Sequence, residues 1–215
     1  MVKQYQIIYE GGEAEFVEKK SRFLATVRPV KTEDEALNFI ETMKKKYWNA
    51  THNCWAYVIG ERGQLQRCSD DGEPSGTAGR PMLDVLLGEE VRDVVVVVTR
   101  YFGGTLLGTG GLVHAYGASA KKGLLESGVI IRTMCDIISV KVSYALAGKI
   151  QYKLASDGHM LEDTVYADDV TFYICSPKDE TERLIDKLTD FSSGRAEIAI
   201  IDRKYVDKRD ESFYN

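Results

Sequence analysis

The chain has 215 residues, enough for one large domain or two small ones, and its 44% hydrophobic and 28% charged content excludes wholesale disorder. A net charge of −5 argues against nucleic-acid binding by bulk charge and confines any RNA contact to a local patch. The longest apolar run, Val94 to Val98, falls far short of the roughly 20 residues of a membrane-spanning helix, and the opening MVKQYQIIYEGGEAEF lacks the pattern of a signal peptide, so a soluble, cytoplasmic protein with no membrane partner is expected.

Residues 4–10 and 14–30 read as strands, with a turn at Gly11-Gly12 and a break near Lys20. Thr32 and Glu35 form a capping box ahead of a helical stripe of Ala36, Leu37, Phe39, Ile40 and Met43, which Lys44, Lys45 and Lys46 close. Residues 54–59 and 64–68 read as strands around a turn at Glu61-Arg62-Gly63, and residues 70–80, rich in Gly and Pro, as a loop. A short helix follows from Pro81 to about Leu87. The valine run of residues 93–99 reads as a strand buried on both faces, and residues 112–127 as a long helix that Gly128 stops.

Past Ile131 the rhythm changes. Residues 136–144 read as a strand, 145–156 as a helix, 161–167 and 170–175 as strands paired across Asp168-Asp169, and 196–201 as a last strand. Ser176-Pro177 has the chemistry of an N-cap and first-turn proline for a helix running to Asp190. The order β-α-β-β-α-β is the split βαβ arrangement. The fold class expected is therefore α+β in two domains, 1–130 and 131–215, the second more acidic than the first: 16 Lys and Arg face 17 Asp and Glu up to Ile130, and 12 face 16 beyond it.

Two segments are candidates to carry chemistry. The first, Cys68 to Met82, holds Asp70, Asp71 and Glu73 beside a helix start, with Arg80 just after the loop. Carboxylates so close can hold a divalent cation or act as acid and base; equally, they can cap turns and accept from backbone N–H groups. The second, Thr99-Arg100-Tyr101-Phe102-Gly103-Gly104 through Gly108, Gly110 and Gly111, joins the valine strand to the long helix. Glycines allow close backbone approach, a helix N-terminus favours anions, Arg100 adds charge, and Tyr101 and Phe102 offer stacking faces. The alternative is that these glycines serve only tight packing. The segment matches neither the P-loop nor the dinucleotide pattern.

His52 and His114 flank these loops, and Cys54 or Cys68 is conceivable as a thiol nucleophile, but no base, orienting carboxylate and oxyanion site converge in the sequence. The cysteines and histidines are scattered, so neither a metal site nor a cofactor is expected. The basic runs Lys19-Lys20-Ser21-Arg22 and Lys44-Lys45-Lys46 are candidates for an RNA-facing patch, or plain solvated surface.

Asp70-Asp-Gly-Glu-Pro-Ser-Gly-Thr-Ala-Gly79, Val97-Val-Thr-Arg-Tyr-Phe-Gly-Gly104, Leu107-Gly108 and Gly110-Gly-Leu112 with Ala115-Tyr116 closely resemble the hallmark region of the YigZ/IMPACT family; Ser21-Arg22-Phe23 and Ala50-Thr-His-Asn-Cys54 also match. The resemblance implies an N-terminal α/β domain similar to domain four of elongation factor G and a ferredoxin-like C-terminal domain similar to its domain five. It also implies a translation-associated role without established catalysis. Eukaryotic relatives regulate translation in amino-acid starvation, but carry an accessory domain not seen here, so this chain resembles the bacterial form. Relatives commonly have Arg where this chain has His114, which weakens an anion contact at that helix turn.

The leading expectation is a binding protein that meets ribosome, RNA or a translation factor through Arg80, Thr99, Arg100, Tyr101, Gly103, Gly104, Gly108, Gly110, Gly111 and Tyr116, with no sequence-specific DNA binding. The alternative is an enzyme of a phosphorylated small molecule or nucleotide, with loop 103–111 as phosphate cradle and Asp70, Asp71 or Glu73 as metal ligand or base.

Overall fold

The computed structural model describes residues 3–209, which fall into two compact units, one built on the residues up to Arg132 and the other on Thr133–Asp207. The first unit contains β1 (Gln4–Ile8), β2 (Gly12–Glu18), β3 (Ser21–Pro29), α1 (Glu33–Lys46), β4 (His52–Ile59), β5 (Leu65–Ser69), α2 (Gly79–Gly88), β6 (Val94–Tyr101) and α3 (Gly108–Glu126). Strands β2 to β6 form one antiparallel sheet in the order β2-β3-β6-β4-β5.

The valine run is the centre of that sheet, and its burial explains its lack of alternation. Val94, Val96 and Val98 face Met82, Leu86, Leu112, Tyr116 and Ala120 of α2 and α3. Val95 and Val97 face Ala36, Phe39, Ile40 and Met43 of α1. Helix α1 starts as its capping box requires: the Glu35 amide donates to Thr32 Oγ1 at 3.2 Å, while Glu35 Oε2 accepts from the Lys31 amide at 2.7 Å.

Antiparallel pairing decides which residues share an end of the sheet. Arg22 pairs with Tyr101, His52 with Arg100, Trp55 with Ser69 and Glu18 with Ser21. The β2–β3 turn, the start of β4, the exit of β5 and the exit of β6 therefore lie at one end. Both glycine-rich segments leave from it.

The second unit runs through β7 (Val129–Val142, which begins in the first unit), α4 (Tyr144–Ser156), β8 (Met160–Tyr166), β9 (Val170–Pro177), α5 (Thr181–Ser192) and β10 (Glu197–Arg209). Strand β9 lies between β7 and β8, and β10 also pairs with β7. With α4 and α5 packed through Ile150, Leu154, Leu184 and Leu188 onto Ile138, Val140, Phe172 and Ile174, this is the ferredoxin-like β-α-β-β-α-β arrangement. The molecule is thus α+β with two domains, and no helix among the described residues is long and apolar enough to cross a membrane.

Several elements depart from the sequence reading; the last strand, expected to end at Ile201, runs from Glu197 to Arg209. Helix α3 opens at Gly108 and not Leu112, so Gly108, Gly110 and Gly111 lie in its first turn; their poor helix propensity hides the start. Strand β7 begins at Val129 rather than Asp136. Ser176-Pro177 caps nothing: Pro177 pairs with Cys135 at the end of β9, where a missing N–H is tolerated, and α5 starts at Thr181 with Glu180 at its N-cap.

Candidate functional site

Glu73 is the meeting point of the two glycine-rich segments. Its side chain is 3% exposed, and Oε1 accepts from Arg100 Nη1 at 2.6 Å and from the Tyr116 hydroxyl at 2.8 Å. His52 Nε2 lies 3.9 Å from Oε2, while its Nδ1 donates to the Asp71 carbonyl at 2.9 Å. The Arg100 guanidinium sits between the rings of Phe23, at 5.4 Å, and Phe102, at 5.7 Å, with Nη2 3.5 Å from Ser21 Oγ. Arg100, expected as a surface anion contact, is thus buried, as are Thr99, which donates to Asn53 Oδ1, and Tyr116.

The other carboxylates are engaged separately. Asp70 accepts from the amides of Gly76 at 2.8 Å, Ala78 at 3.0 Å and Gly79 at 2.8 Å, which caps the start of α2. Burial works to raise its pKa, but these three amide donors outweigh it and hold the carboxyl below the usual range. Asp71 accepts from the Asn53 amide at 2.7 Å and pairs with Lys44 at 3.1 Å. No group of three or more His, Cys, Asp and Glu side chains is gathered as metal ligands would be, among the described residues.

Cys54 lies inside this network, donating to the Asp70 carbonyl at 2.9 Å, 3.4 Å from the Tyr116 hydroxyl. Burial pushes the Cys54 thiol and the Tyr116 phenol far up, and Glu73 adds to it. A nucleophilic thiolate does not fit that environment. Cys68 is exposed, and desolvation again raises its thiol.

Outside the network, the same end of the sheet is open and basic. Lys19 and Lys20 form the two-residue β2–β3 turn with φ of 44° and 67°, a left-handed conformation usually given to Asn-Gly. Gly103 packs on this turn: a Cβ there would lie 2.1 Å from the Lys20 carbonyl carbon, and its amide donates to Ser21 Oγ at 3.1 Å. Beyond it the loop is exposed, with Gly104 at φ 82° and Leu106 83% accessible. The N-cap Leu107 offers α3 no side-chain acceptor, and Gly108, Thr109 and Gly110 are exposed, so the positive end of the helix faces outward.

Aromatic side chains complete this end. Phe102 is 49% exposed and its amide donates to Thr51 Oγ1; the Tyr101 hydroxyl donates to Asn49 Oδ1 at 3.2 Å, next to Trp48, which is 81% exposed. Arg22 stands 6.0 Å from the Tyr101 ring centroid. Two sequence candidates lie apart. Arg80 pairs with Asp84 one turn along α2, and His114 sits exposed on α3, edge-on to Phe16 at 6.1 Å. Gly111 is half-buried under Leu107. Sequence reasoning missed Trp48 and Leu106, because an exposed apolar residue carries the same letter as a core one; the Lys-Lys pair at a hairpin position was the available signal.

An Impact N-terminal domain matches residues 19–124, and a domain of unknown function (DUF1949) matches residues 140–195. The chain is 43% identical over 208 residues to IMPACT family member YvyE of Bacillus subtilis (strain 168), covering 97% of this chain and 96% of that one. It is 34% identical over 186 residues to IMPACT family member YigZ of Escherichia coli (strain K12), covering 86% and 91%. Protein IMPACT of Xenopus laevis shares 38% identity over 102 residues, 45% of this chain and 32% of its own. A solved structure described as that of an hypothetical protein aligns with TM-score 0.59 and 31% identity over 94% of this chain and 99% of its own. The two bacterial relatives and the solved structure align through both domains, and the chain belongs to the IMPACT family.

Proposed function

We propose that this is a cytoplasmic, translation-associated binding protein that contacts RNA of the ribosome through the open end of its N-terminal sheet. The observation that carries this reading is the junction of the left-handed Lys19-Lys20 turn, the uncapped start of α3 and the exposed Phe102 at one place. Together they offer cations, free backbone N–H groups and a stacking face to an anionic partner. The Glu73–Arg100–Tyr116 network stands behind this end and holds both loops. An enzyme of a phosphorylated substrate needs Asp70, Asp71 or Glu73 free for a metal or a proton, and each is engaged within the protein.

Co-sedimentation with ribosomes tests the reading. Wild type is expected to pellet with ribosomes at low salt and to be released at high salt. Lys19→Gln with Lys20→Gln is expected to weaken the association without unfolding the protein. Absence of wild-type association at low salt defeats the proposal. Arg100→Ala is the wrong probe, since it strips a buried carboxylate of its cation.

A further inference from the structure

The RNA reading above names a surface but no form of RNA. Resting on that reading, we infer that the surface is a stacking platform for single-stranded RNA, with Trp48, Tyr101 and Phe102 receiving bases and the Lys19-Lys20 turn receiving phosphate.

Four observations lead there. First, the aromatics are exposed: Phe102, directly after β6, is 49% exposed, and Trp48, two residues beyond the end of α1, is 81% exposed. Second, the segments that carry them are held in place. Tyr101 is fixed by Asn49 and flanked by Arg22, Phe102 is tied to Thr51 through its amide, and the Trp48–Thr51 segment is further anchored by the Thr51 amide donating to the Arg100 carbonyl at 2.9 Å. A rigid π face loses little entropy when a base stacks on it.

Third, the cations lie beside the rings. Gly103, next to Phe102, contacts Lys20 and Ser21 through the backbone, and Arg22 faces Tyr101. Of the acidic groups nearby, Glu15 pairs with Arg22, Asp71 with Lys44 and Glu73 with Arg100. Fourth, Lys19 and Lys20 keep an unfavourable backbone conformation, of the kind retained where side-chain direction matters more than local strain. Bases inside a duplex hide their faces, so separate exposed rings select an unpaired strand.

The test uses the full chain and two RNA probes of equal length, an unstructured oligonucleotide and a blunt duplex. Fluorescence anisotropy is expected to show tighter binding of the single strand. Phe102→Ala and Phe102→Leu are both expected to weaken it roughly 5- to 150-fold, as loss of one base-on-aromatic stack does. Stacking quenches indole emission, so the single strand is expected to dim wild-type fluorescence, with that quench lost in Trp48→Phe. Lys19→Gln with Lys20→Gln is expected to reduce the log–log salt slope by about 1.4, two phosphate contacts on a single strand. Both Trp48 and Phe102 are exposed, and circular dichroism confirms the variants' folding. Ribosome binding with no quench and no Phe102 effect overturns the platform but keeps the ribosome reading. Tighter duplex binding overturns it as well, and loss of ribosome association at low salt removes both.

Discussion

Arg100 and Glu73, both expected from sequence to take part in a binding surface, meet each other in the interior of the first domain. An Arg and a Glu brought from β6 and from the loop after β5 are both removed from water, at 7% and 3% side-chain exposure, and meet at 2.6 Å. Such a pair is costly to desolvate and adds little net stability over an apolar pair, but losing one partner leaves the other charged and buried. Arg100→Ala or Glu73→Gln is therefore expected to destabilise the first domain by about 3–5 kcal/mol. Chemical denaturation followed by tryptophan emission measures this; a loss below about 1 kcal/mol, the value of an exposed pair, would show that the network is wet and loose. The charged letters of these residues were legible in the sequence, as was their nearness to glycine-rich loops. Their burial was not, because it depends on Tyr116 arriving from α3 and His52 from β4, contacts between residues far apart in the chain.

At the scale of elements, the proposed function sets the stability of the β2–β3 hairpin against its binding role. Its two-residue turn needs left-handed φ at both positions, which Asn-Gly supplies with less strain than Lys-Lys. Lys19→Asn with Lys20→Gly is expected to raise the stability of the first domain by about 1–2 kcal/mol and to weaken RNA association in the same protein. Thermal unfolding with the ribosome assay reads both; a stabilised variant that binds as well as wild type would remove the lysines from the interface. Elements with a strong local signature were plain in the sequence: the capping box of α1, the valine strand, and the break at Lys20 between β2 and β3. Those set by tertiary context were not. The glycines at the start of α3 mimic a loop, and Pro177 mimics a helix start until its pairing with Cys135 is seen.

At the scale of the whole molecule, each unit holds a carboxylate that ties its own elements together and titrates below the usual range. In the first it is Asp70, where burial is outweighed by the amides at the start of α2. In the second it is Asp136, 2% exposed, where burial is outweighed by Arg203 at 2.5 Å and by the Thr181 hydroxyl at 2.9 Å. A carboxyl whose pKa is lower folded than unfolded stabilises the fold at pH above its unfolded value. That contribution fades as pH falls through the unfolded value and is gone below the folded one. Both units should therefore lose stability on the acid side of about pH 4, the ordinary aspartate range. Asp70→Asn and Asp136→Asn should each lower stability at neutral pH and flatten the acid limb of one unit only. The two tryptophans, Trp48 and Trp55, both lie in the first unit, so their emission reads that unit alone while far-ultraviolet circular dichroism reads both. Asp70→Asn is expected to shift the acid transition seen by tryptophan. Asp136→Asn is expected to shift only the dichroism, with RNA association at neutral pH unchanged; movement of the tryptophan signal by Asp136→Asn would show that the two units unfold as one.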